Sequence, residues 1–100
     1  MIYSVETEKY QRNYRLKFIM DNPHEAVLEA SGNTILLKLP FNIWFTPPAA
    51  MKLRRQDSPC GYHSVSRSKK EIVIVFNCSK STKVYPETIA NNILDLIISE

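Results

Sequence analysis

The sequence predicts an α+β fold: a small, mostly antiparallel sheet with a long basic loop and a C-terminal amphipathic helix packed on the sheet. Three observations lead there. Residues 14–20 alternate apolar and polar, residues 71–78 form a β-branched run, and residues 86–99 repeat apolar side chains at helical spacing. The chain has 100 residues, 44% hydrophobic and 23% charged, which suits one compact domain spanning 1–100.

Residues 2–7 suit a short opening strand. In the next strand Tyr14, Leu16, Phe18 and Met20 fall on one face, and Arg15, Lys17 and Ile19 on the other. Residues 23–31 have two readings. Asn22 followed by Pro23 and Glu25 is a helix start, with Gly32 as its stop. Alternatively, 25–30 is a strand that turns at Gly32-Asn33 into Thr34–Leu39. The hairpin fits slightly better, because Ala26, Leu28 and Ala30 alternate with Glu25, Val27 and Glu29. Pro40 interrupts the strand it ends, and Asn42–Phe45 resumes an extended path.

Residues 46–70 show no sustained periodicity and are expected to be a long loop, with room for a turn of helix at Pro48–Leu53. Ile72–Phe76 is apolar throughout, as an interior strand covered on both faces would be. Pro86 and Glu87 suit a helix N-terminus. Ile89, Ile93, Leu96 and Ile97 then follow at i, i+4, i+7 and i+8, widened by Ala90, Leu94 and Ile98.

Charge is unevenly placed. The chain carries a net +3, yet residues 52–70 hold Lys52, Arg54, Arg55, Arg67, Lys69 and Lys70 against Asp57 alone. That stretch is +5 and the remainder is −2. Such a loop suits a polyanion, because Lys and Arg displace counterions from phosphates. Tyr62 and His63 stand among these cations and suit stacking on unpaired bases. Ser58, Ser64, Ser66 and Ser68 suit phosphate oxygens. An acidic protein surface would select the same composition, and so would a plain solvated loop. Trp44, in Phe41-Asn42-Ile43-Trp44-Phe45, suits an interface anchor, although such clusters pack in cores more often.

Searching for chemistry yields little. Cys60-x-x-His63 has acceptable metal spacing, but no second Cys/His pair follows. The two glycines, Gly32 and Gly61, lie too far apart for a phosphate-cradling loop. Cys78 reads as a small buried hydrophobe and Cys60 as an exposed thiol, with one bridge between them possible. No apolar run approaches a membrane span, and no signal peptide is readable at the N-terminus, so a cytoplasmic chain is expected.

The sequence therefore points to a non-enzymatic interaction protein of the inhibitor, immunity or regulatory type, by analogy of size. Its expected contacts are Lys52, Arg54, Arg55, Tyr62, His63, Arg67, Lys69, Lys70 and Trp44. An acidic protein is the first expected partner and a nucleic acid the alternative. No membrane, cofactor, metal or catalytic residue is expected. A homodimer through an edge strand or the terminal helix is plausible.

Overall fold

The structure, a computed structural model, describes residues 1–40, 42–79 and 83–99. Phe41 lies outside the described residues, as do the side chains of His24 and Ile89.

Among the described residues, eight strands form two four-stranded antiparallel sheets. The strands are β1 (Ile2–Tyr10), β2 (Asn13–Met20), β3 (Val27–Ser31), β4 (Thr34–Pro40), β5 (Cys60–Arg67), β6 (Glu71–Cys78), β7 (Lys83–Ala90) and β8 (Ile93–Ser99). The first sheet is ordered β1-β2-β8-β7 and the second β3-β4-β6-β5. A single helix, α1 (Pro47–Arg55), and a 3₁₀ turn at Pro23–Glu25 complete the described elements.

Alternation explains the layering. Leu16, Phe18 and Met20 of β2 and Leu94, Leu96 and Ile98 of β8 are buried on one face of the first sheet. They share one core with Ile35, Leu37 and Leu39 of β4 and Ile72, Ile74 and Phe76 of β6. Each such side chain contributes roughly 1.5–3 kcal/mol by leaving water. The β2 expectation is met residue for residue. The Gly32-Asn33 hairpin is met too, since Ser31 pairs with Thr34 and Gly32 takes φ 60°, open to a residue without Cβ. The helix-start reading of Pro23 survives only as one 3₁₀ turn.

The α+β expectation is overturned in three places. First, no C-terminal helix packs on a sheet. Residues 83–99 are a hairpin, β7 and β8, turning at Asn91-Asn92. Five of the six residues 93–98 are apolar, so the run satisfies a helical and a strand period alike. Long-range pairing of β8 with β2 decides it, and Pro86 sits on an edge strand, where a missing N–H costs least. With the helix gone, so is its suggested role in a dimer. Second, residues 46–70 are not a long loop: the turn of helix expected at Pro48–Leu53 is met within α1, and a short connection, β5 and a turn follow it. Third, β6 is central in its sheet but covered on one face only: Val73 and Val75 stay half-exposed.

The open sides of the sandwich close differently. Edge strand β3 touches β7 on one side. On the other, α1 lies between edge strands β1 and β5. Thr46 caps α1 by accepting from Ala49 N–H at 3.3 Å, Pro47 and Pro48 start it, and Ala49 and Leu53 turn inward.

Cys60 and Cys78 are cross-strand partners on β5 and β6, joined in a disulfide with Cα atoms 3.9 Å apart. Both are buried, which corrects the expected exposed thiol at Cys60.

Among the described residues, the outer face of the first sheet carries one buried acid. Asp95 stands opposite Lys17 and Glu87, is fully buried, and accepts from Arg15 Nη1 at 3.3 Å. Its Oδ1 has no hydrogen-bond partner among the described residues. Burial holds its pKa above the usual carboxylate range, against the pull of Lys17 and Arg15. A folded pKa above the unfolded one means that the ionised form opposes folding. That cost is absent below the unfolded pKa and grows as pH rises through the folded one. Asp95→Asn is therefore expected to raise stability at pH 7 by about 1 kcal/mol, because Arg15 keeps water once the acid is gone. Urea unfolding at pH 7 and pH 3.5 checks it: the gain should vanish at the lower pH.

Candidate docking face

The side built by α1 and β5 is fixed by three local features. The first is a backbone clamp. Ile2 N–H donates to Trp44 O at 2.6 Å, Thr46 N–H donates to Ile2 O at 3.0 Å, and Ile2 and Phe45 form a parallel bridge. Ile43 and Ile2 are buried there, while Trp44 is 58% exposed. Trp44 is therefore not core packing.

The second is a bulge. On β5, Tyr62 pairs with Phe76 and Ser64 with Val75, so His63 is the extra residue. The bulge shifts the alternation by one. Val65 and Arg67, opposite Ile74 and Ile72, thereby join Tyr62 on the side facing α1, while Ser64 and Ser66 share the outer side with Val75 and Val73. Without it, Ser64 and Ser66 would face α1.

The third is the cation on the indole. The Arg67 guanidinium lies 3.9 Å from the Trp44 ring centroid, and its Nη2 donates to Ile43 O at 3.2 Å. The ring and the carbonyl together hold the guanidinium in one orientation.

Between these features runs a chain of depressions. One of about 110 Å³ is lined by Phe45, Ala50, Leu53, Arg54, Tyr62 and Val65. A second, about 350 Å³, lies among Pro47, Ala50, Met51, Arg54 and Arg55. A third, about 450 Å³, has Lys52, Arg55 and Gln56 on one side and Glu6 and Glu8 of β1 on the other. These are shallow grooves rather than enclosed ligand cavities.

Of the nine residues expected from sequence, Trp44, Lys52, Arg54, Arg55, Tyr62 and Arg67 share this side. Lys52, Arg54 and Arg55 are exposed at the last turn of α1, where cations also suit the helix dipole. None of Lys52, Arg54, Arg55, Lys69 and Lys70 makes an ion pair among the described residues. Tyr62 is half-buried, packs on the core and lines the smallest of these depressions. His63 is exposed at the bulge. Lys69 is exposed in the β5–β6 turn, and Lys70 borders a separate depression with Glu25, Val27 and Lys38. The basic loop of the sequence reading is thus two groups.

Two residues were missed. Met51 is 53% and Val65 39% exposed, both among the cations. Nothing in the sequence marks Met51 as outward, and Val65 depends on the bulge. The four serines do not converge. Ser58 is buried and bonded to Cys60, and Ser68 Oγ accepts from Lys70 and Glu71 N–H groups. The Cys60 sulfur is bonded to Cys78 in this structure and is not presented with His63 as a ligand pair.

No protein-family model matches the chain, and no curated protein or solved structure is significantly similar to it. No helix among the described residues is long and apolar enough to cross a membrane.

Proposed function

We propose that this protein is a non-enzymatic interaction module that docks on an acidic protein surface through the side formed by α1 and β5. The observation that carries this reading is the exposed Trp44 ring, stacked with Arg67, together with the exposed Met51, Val65, Arg54 and Arg55 that line the depressions along α1 and β5. Apolar anchors inside a rim of cations suit a protein interface, where buried aromatics supply affinity and rim charges supply on-rate. A nucleic acid is the weaker partner. One face of Trp44 is occupied, Tyr62 is packed, and the serines point elsewhere or are bonded internally. The cytoplasm stays our proposed compartment; there the cysteine pair would stand reduced.

The test is co-purification with and without nuclease, repeated with Arg54→Glu/Arg55→Glu. A stoichiometric protein should survive nuclease, and the double reversal should weaken it about tenfold, mostly through association rate and less so at high salt. Loss of every partner on nuclease treatment would transfer the face to nucleic acid. Unchanged affinity in the reversed variant would remove α1 from the interface.

A further inference from the structure

We infer that the acidic partner is engaged as an extended segment that adds a strand to the Gly61–Ser66 edge of β5; this rests on the docking reading above. Four strands are sheet edges: β1, β7, β3 and β5. They are not equivalent. β1 is bridged by Phe45 and carries Glu6 and Glu8, and α1 packs on it as it also does on β5. β7 carries Pro86, which cannot donate to a ladder, and Glu87. β3 has five residues, with Glu29 in the middle and no cation. β5 contains no acidic residue, and its Gly61–Ser66 backbone has β6 as its sole ladder partner among the described residues.

The surroundings of β5 match an acidic strand. Arg54 reaches the depression beside Val65, and exposed Lys69 follows the strand's end. A strand added to this edge would use main-chain hydrogen bonds for affinity. Its alternate side chains would fall beside Arg54 and Val65 on one face and Ser64 and Ser66 on the other. The His63 bulge limits the regular edge to the Ser64–Ser66 stretch, so the expected insertion is short. The alternation needed is acidic on the α1 side, beside Arg54, and small or β-branched on the other, beside Ser64, Ser66 and the half-exposed Val73 and Val75.

The probes are three synthetic octapeptides: alternating Glu-Val, the same peptide N-methylated at every second residue, and alternating Lys-Val. Binding is followed by Trp44 fluorescence and by amide exchange at Gly61–Ser66. The Glu-Val peptide should bind saturably and slow exchange at alternate β5 amides. N-methylation should weaken it at least tenfold, and the Lys-Val peptide should not bind. Equal binding of the methylated peptide, with β5 amides unprotected, would overturn strand addition and leave acidic docking standing. Equal binding of the Lys-Val peptide, or binding by none of the three, would overturn acidic docking itself.

Discussion

Replacing both Cys60 and Cys78 with alanine should lower stability by about 3 kcal/mol, the chain-entropy value for a bridge of this span. The two residues are 18 apart in sequence, and the closed segment is the β5–β6 hairpin. A domain of this length has a total margin of roughly 5–15 kcal/mol. The loss should therefore appear as a fall in Tm of about 15 °C. Local structure should survive it. Gln56 Nε2 donates to Cys60 O at 2.6 Å, Ser58 N–H donates to Gln56 Oε1 at 2.8 Å, and Ser58 Oγ donates to Cys60 O at 3.1 Å. This network ties the end of α1 to the start of β5 without the sulfurs, so binding should be kept at temperatures well below the new midpoint. Urea unfolding of oxidised, reduced and alanine-substituted protein measures it. An unchanged midpoint would mean that the unfolded chain gains no freedom from opening the hairpin. A reducing compartment would impose the same loss on the native sequence, so alkylation of the two thiols in cells reports both the state of the bridge and the compartment.

What the sequence disclosed depends on how many periods each segment permits. Residues 14–20 permit one, because Arg15 and Lys17 forbid a second buried face, and that strand is legible. The Gly32-Asn33 turn is legible for a similar reason: alternation flanks a residue suited to positive φ. Residues 93–98 permit both periods, and Asp95, the lone polar residue among them, misleads. It reads as the wet stripe of a helix, yet it is buried on the outer face of a sheet beneath Arg15. The useful signals were weaker ones: β-branched Ile93, Ile97 and Ile98, and the Asn91-Asn92 pair as a turn. α1 has nine residues, too few for its period to stand out, and its Thr46 cap is followed by two prolines that resemble a loop. The Cys60–Cys78 bridge needs the β5–β6 register, which spacing alone does not reveal.

The candidate face was legible in its charges and not in its anchors. Cations betray themselves by composition, since nothing buries Lys52, Arg54 or Arg55 cheaply. An outward Trp44 has no such signature. Its exposure follows from the clamp between Ile2 and residues 44–46, a contact spanning some forty residues of chain. The same holds for Val65, whose direction is set by one extra residue at His63.

Trp44→Ala should weaken binding to the acidic partner by about thirtyfold or more, the loss that marks an interface hot spot of roughly 2 kcal/mol. Fold stability should barely move. Trp44 is 58% exposed, and the structural role of the residue lies in its carbonyl, which accepts from Ile2 N–H whatever the side chain. Stability would lose only the stacking with Arg67, about 0.5–1 kcal/mol at an exposed site. Arg67 would keep its bond to Ile43 O, so its charge would stay on the face while its orientation loosened. Trp44→Phe should recover part of the affinity, because a smaller ring still buries apolar area and still faces the guanidinium. Tyr85→Ala is the matched control. Tyr85 is 50% exposed but stands on β7, across the sandwich from α1, and its loss should leave binding unchanged. Calorimetric titration of the co-purified partner against these three variants separates the cases. Equal affinity for Trp44→Ala and the parent would show that the indole is not an anchor. Equal losses for Trp44→Ala and Tyr85→Ala would show that exposed aromatic area, rather than this face, governs binding. A large loss at Trp44 with none at Tyr85 is the outcome that the Arg67 stack and the α1 cations require.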